Sequence, residues 1–133
     1  MHTPAFVPYV SQFSANLNQA AAAYTLCTAT GLVVVYDVNI HVVTAAGGLN
    51  WVSIQSTNTS PVIIMTAAEG AVANLSIDKS MNYIQPLAYG SNKTFQLSTG
   101  QLLQYTINGV GNAGLLRVVV TWQPMPGVGG DLR

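Results

Sequence analysis

Charge is what this sequence has least of. Its 133 residues carry four Lys or Arg and four Asp or Glu, a charged fraction of 6% against a hydrophobic fraction of 50%. An average soluble domain carries roughly 25% charged residues. The cations Lys79, Lys93, Arg117 and Arg133 are scattered. Binding a phosphate backbone needs such groups clustered, so nucleic acid is excluded as a partner. A formal net charge of zero supplies little self-repulsion, which points to an oligomer or an assembly component.

Cysteine is nearly missing too. Cys27 stands alone, so no intrachain disulfide can form. A reactive thiol needs a nearby cation or helix N-terminus. Neither is evident, and Cys27 reads as a small buried hydrophobe. Long apolar runs are also missing. The stretch Leu32-Val33-Val34-Val35-Tyr36 is broken at Asp37, far short of the about 18 residues of a membrane span. Met1-His2-Thr3-Pro4 lacks the basic start of a secretory signal, and no continuous apolar core follows it. The expectation is a chain made and folded in a cytoplasm, with no membrane partner. Asn, Gln, Ser and Thr must then keep its surface wet.

What is present is strand pattern. From Val34 the even positions are Val34, Tyr36, Val38, Ile40 and Val42, and Asp37, Asn39 and His41 alternate with them. This period of two predicts a half-buried strand, closed by a turn at Gly47-Gly48. Residues 21–29, 51–56, 62–65, 81–87 and 94–97 read as further strands, with Pro86 moving its strand toward an edge. Residues 67–75 read as a loop and then a strand. Leu103, Tyr105 and Ile107 mark one face of another strand, and Leu116, Val118, Val120 and Trp122 one face of the last. A glycine-rich loop, residues 108–114, separates these two.

The fold class is therefore all-β, an eight-stranded antiparallel β-sandwich of jelly-roll type. Residues 1–20, with Pro4, Pro8 and the spaced Phe6, Tyr9 and Phe13, read as an extended N-terminal arm whose apolar side chains need a surface to lie on. Residues 21–123 form the domain. Residues 124–133, rich in Pro and Gly, read as a flexible tail.

Catalytic equipment is sparse. The acids are Asp37, Glu69, Asp78 and Asp131, and nothing in the sequence pairs two of them for acid–base work. His41 shares a strand face with Asp37, but no G-x-S-x-G nucleophile turn accompanies it. His2, His41 and Cys27 make no zinc spacing. The run Gly109-Val110-Gly111-Asn112-Ala113-Gly114 is followed by a strand pattern, whereas a phosphate-binding loop opens a helix. The chain reads as not an enzyme, without metal or cofactor. An enzyme would need Asp37, His41 and a second acid to converge in a pocket. Trp51, Trp122, Tyr83, Tyr89 and Tyr105 leave open a sugar-stacking face, and with it a carbohydrate- or receptor-binding module.

Three stretches carry a family resemblance: residues 30–38, residues 95–107 and Gly109 through Pro126. Their short strands, Asn/Gln/Thr surface and Pro/Gly tail resemble the small jelly-roll decoration (cement) proteins of tailed bacteriophage capsids. The resemblance spans residues 21–126 in layout and rests on no single diagnostic motif. It implies a homotrimer bound to the major capsid protein on the virion surface, stabilising the shell. The residues expected at partner contacts are Phe6, Tyr9 and Phe13 of the arm, with Asp37 and His41 of the polar strand face.

Overall fold

A computed structural model describes residues 8–82, 94–125 and 130–133. They form an all-β fold with the strands β1 (Tyr9–Asn16), β2 (Ala22–Thr28), β3 (Val33–Ser56), β4 (Ile63–Met65), β5 (Ser80–Asn82), β6 (Phe95–Leu97) and β7 (Leu102–Pro124). All seven join one antiparallel sheet.

Two long strands are its spine. β3 has 24 residues and β7 has 23, against about 5–6 for a mean strand. They pair from Val33↔Pro124 to Ser56↔Leu103. β1 and β2 flank β7, against residues 115–122 and 102–107 respectively. β6, β5 and β4 flank β3 on its other side. Each half of the ribbon is therefore four strands wide.

The expected breaks at Gly47-Gly48 and at residues 108–114 do not end strands. They face each other across the ribbon, with Gly47↔Ala113 and Leu49↔Gly109, and register shifts crowd between them. The two glycine clusters form one shared bend. Gly48 sits at φ 81°, where a Cβ would stand 2.6 Å from the Val110 carbonyl oxygen, so only glycine fits. Among the described residues the strands therefore number seven rather than eight, with two pairs of expected strands fused and β1 added. Because β3 and β7 run unbroken through the bend, the strands make one hydrogen-bonded sheet instead of two separate ones.

The N-terminal segment expected as an arm is a full member of the sheet from Tyr9 to Asn16. Ala15 and Leu17 are fully buried there. At the other end, where the tail was expected, Leu132 is buried and bridges to Ala29. Residues 67–75 hold turns and a 3-10 helix at Val72–Asn74 in place of the expected strand. Leu75 still enters the core from there. Most of the strand expected over 81–87, and residues 126–129 of the tail, lie outside the described residues.

One face of the ribbon supplies the core. β3 contributes Val33, Val35, Val38, Ile40, Val42, Val52 and Ile54; β7 contributes Leu103, Ile107, Leu116, Val118 and Val120. Each such side chain taken out of water contributes roughly 1.5–3 kcal/mol. The buried set on β3 shifts phase, from odd positions to even, between Val35 and Val38. Val35 pairs with Trp122 and Asp37 with Thr121, so Tyr36 is an inserted residue, a β-bulge. Val34 and Tyr36, expected to share the inner face with Val38, are on the other side of that shift and only half-buried.

Candidate functional site

After the bulge at Tyr36, even positions of β3 face the core and odd positions face outward. That places Asp37, Asn39 and His41 on the outer face. β5 pairs beside them, with Asn39↔Asn82 and His41↔Ser80, and β7 on the other side sets Arg117 opposite His41.

These side chains form two polar clusters. Asn39 Nδ2 donates to Asp37 Oδ2 at 3.0 Å, and Asn82 Nδ2 donates to Asp37 Oδ1 at 2.9 Å. Asn82 Nδ2 also reaches Asn39 Oδ1 at 2.7 Å. Both Asp37 oxygens are thus occupied by carboxamide donors. His41 Nδ1 and Ser80 Oγ share a hydrogen bond of 2.8 Å, while Nε2 lies 3.7 Å from Asp78 Oδ1.

Ser80, His41 and Asp78 have the composition of a catalytic triad but not its geometry. A working triad holds the imidazole with a buried acid through a real hydrogen bond. The 3.7 Å separation is too long for one, and the Asp78 side chain is 84% exposed. Asp37 and His41 share a face as expected, but each is engaged with different partners. Among the described residues no cluster of three or more His, Cys, Asp or Glu could hold a metal.

The aromatic residues expected at partner contacts lie elsewhere. Phe6 is outside the described residues. Tyr9 and Phe13 of β1 pair with Trp122 and Val118, whose side chains are inward. Phe13 packs against the core. Tyr9 stacks on Trp122 with ring centroids 5.0 Å apart and an interplanar angle of 26°. Trp122 Nε1 donates to Ser11 Oγ at 2.8 Å. The four described residues of these five are therefore divided between two faces. Tyr9 and Phe13, on β1, belong to the inner face of the sheet whose outer face, on β3, carries Asp37 and His41.

Of the aromatics considered for sugar stacking, the three that are described do not share an exposed surface either. Trp122 and Tyr105 are buried. Tyr105 stacks on Tyr24 and accepts from Gln19 Nε2 at 3.0 Å. Trp51 is half-buried in the bridge to Ala71. Tyr83 and Tyr89 are outside the described residues.

Sequence reasoning missed Ser80, Asn82 and Asp78 as neighbours of the polar stripe. They arrive through β5, a strand of three residues some forty positions from its partner, and no local signal announces that pairing. It also missed β1 as a sheet member. The alternation of Phe13, Ala15 and Leu17 with polar residues was a readable signal there, masked by the prolines before it.

Burial pushes the Cys27 thiol up to about 12, against a smaller lowering by a backbone hydrogen bond involving Leu103. The thiol is buried, as expected from sequence. Asp131 is held below the ordinary carboxylate range, first by the side-chain hydrogen bond from Arg133.

No protein-family model and no curated protein matches this chain. Solved structures do. A chain from the capsid asymmetric unit of cyanophage Pam1 matches at 12% identity over 92% of this chain and 91% of that chain, with a TM-score of 0.54. A chain from the capsid structure of the Helicobacter pylori bacteriophage KHP30 matches at 16% identity over 95% and 94%, with a TM-score of 0.47. At such identities the likeness to the Pam1 chain is one of fold.

Proposed function

We propose that this chain is a virion structural protein that binds the outside of a phage capsid as a homotrimer and stabilises the shell. The observation that carries the reading is the fold shared with the Pam1 capsid chain along nearly the full length of both. In the same reading the bend in β3 and β7 folds the two four-stranded halves over one another, as in a jelly roll, with the common core between them. The scarcity of charge fits a surface covered by other subunits, since interface cores are depleted of charged residues.

The shell-binding face in this reading is the outer polar face around Asp37, Asn39, His41 and Asn82. It offers fixed amide and carboxylate groups on a rigid sheet. Two measurements test the proposal together. Sedimentation should give a native mass that is a multiple of three chains. Capsids of the phage that encodes the chain, assembled without it, should bind it and then resist heating to a higher temperature. A monomer at micromolar concentration, or capsids that neither bind nor gain stability, would overturn it.

A further inference from the structure

Sheet edges are normally guarded, by short strands, by charge or by a covering segment. Most of this sheet obeys that rule. β4, β5 and β6 have three residues each, and the charged pair Asp78-Lys79 directly precedes β5. The end of β2 is covered by Asp131–Arg133, through Thr28 N–H to the Arg133 carbonyl at 2.6 Å and Thr30 N–H to the Asp131 carbonyl at 2.8 Å. β1 breaks the rule. It has eight residues, Tyr-Val-Ser-Gln-Phe-Ser-Ala-Asn, with no proline and no charge. Among the described residues it pairs with β7 on one side only. No Asp, Glu, Lys or Arg occurs from Thr3 to Tyr36.

The groups on the open side can be named. Leu17 N–H donates to the Gly114 carbonyl of β7 at 2.9 Å, so odd positions of β1 bond toward β7. The Asn16 carbonyl instead accepts from Gln19 Nε2 at 2.6 Å, so even positions bond outward. Backbone groups alternate sides in this way along an antiparallel strand. The N–H and C=O groups of Val10, Gln12 and Ser14 therefore point away from β7, without partners among the described residues. Beside them Tyr9 is 57% and Val10 67% exposed.

We propose that β1 pairs antiparallel with β1 of a second copy, about a two-fold axis through Gln12. In that register Gln12 faces Gln12, and Val10 faces Ser14 in both directions. Each such pair exchanges two hydrogen bonds, which satisfies every open group. The strand carries no charge, so a copy of itself meets no like-charge repulsion. The exposed Tyr9 ring falls opposite Ala15 of the second copy and loses water. The contact is isologous and joins copies in twos. It goes beyond the trimer reading and would link chains of neighbouring trimers where trimers form.

The test is cross-linking in the full chain. Gln12→Cys places two thiols on the axis, with Cα atoms about 5.5 Å apart, within disulfide reach. Mild oxidation should give a two-chain band on a non-reducing denaturing gel. Ser14→Cys should not cross-link, because its two copies would lie ~13 Å apart along the strands. Cys27 is buried and stays out of the reaction. Gln12→Lys, which sets two cations against each other at an exposed position, should halve the native mass while leaving the circular dichroism spectrum unchanged. A folded Gln12→Cys that does not cross-link, a Ser14→Cys that cross-links as fast, or a folded Gln12→Lys with the native mass of wild type would each overturn the pairing. A native mass of three chains without the Gln12→Cys band sinks the pairing and leaves the capsid reading standing. The band with no multiple of three in the native mass does the reverse.

Discussion

Thr28 and Arg133 bond each other twice through their backbones, Thr28 N–H donating at 2.6 Å and Arg133 N–H at 2.9 Å. Between Asp131 and Arg133, Leu132 turns inward and is buried, next to its bridge partner Ala29. The last residues thus work as a short strand over the end of β2. A buried Leu cut to Ala loses transfer free energy and leaves a cavity, at a cost of about 2–5 kcal/mol in well-packed sites. Leu132→Ala should sit near the lower end, about 2 kcal/mol, because a segment held by so short a bridge can relax around the cavity. Urea unfolding followed by circular dichroism measures it, and an unchanged midpoint would show that these contacts contribute nothing.

Deleting a residue from a strand normally moves every side chain beyond it to the other face. Tyr36 is the exception here. It is the inserted residue between the pairs Val35↔Trp122 and Asp37↔Thr121. Removing it leaves a regular ladder in which Val33, Val35, Val38 and Ile40 alternate inward without a phase shift. The loss includes the hydrogen bond from Tyr36 Oη to Gln123 Oε1, 3.3 Å long, worth about 1 kcal/mol. Deletion of Tyr36 should therefore give a folded protein, and deletion of Asn39, inside the regular ladder, an unfolded one. Thermal unfolding of the two variants checks this, and equal damage in both would contradict the bulge.

The same residue shows where the sequence was legible and where it was not. Alternation identified β3 and located Val38, Ile40 and Val42 correctly, because pleat geometry is local. It carried the pattern back through Tyr36 to Val34, because both are apolar and a bulge leaves no mark on an apolar run. Gly47-Gly48 and residues 108–114 were read as turns, since glycine clusters usually are. Only the pairing of β3 with β7 shows that the two clusters lie opposite each other and bend one ribbon. On the outer face, Asp37, Asn39 and His41 were legible as a stripe. Asn82 and Ser80 were not, because the pairing that delivers them is long-range. Phe13 and Tyr9 looked like an arm in search of a surface, and the surface is β7 of the same chain.

Val38 and Val118 lie on adjacent strands with no exposed surface. Both belong to the hydrophobic core cluster. Val38→Asp or Val118→Asp would bury a lone carboxylate, which costs several kcal/mol or forces the site open. That is a large share of the 5–15 kcal/mol that holds a typical domain. Both variants should lose their cooperative thermal transition. Either one folded at the wild-type melting temperature would remove that side chain from the core.

The buried Cys27 sets a further expectation, on pH. Its thiol is held up to about 12 in the folded protein, against 9.0 for the exposed group. Below about pH 9 both states keep the proton, and Cys27 adds no pH dependence. Above it the unfolded chain gives up the proton while the folded chain retains it. Stability then falls as pH rises toward 12, with a limiting slope of about 1.4 kcal/mol per pH unit. The part due to the thiol is isolated by comparison with Cys27→Ala. That variant should be less stable near neutrality, because it leaves a small cavity, but should lose less on going from pH 9 to pH 11. A thiol reagent at neutral pH should label native Cys27 only at the rate at which the sheet opens, and should label the urea-unfolded chain at once. Rapid labelling of the native protein would place the sulfur at the surface and remove both expectations together.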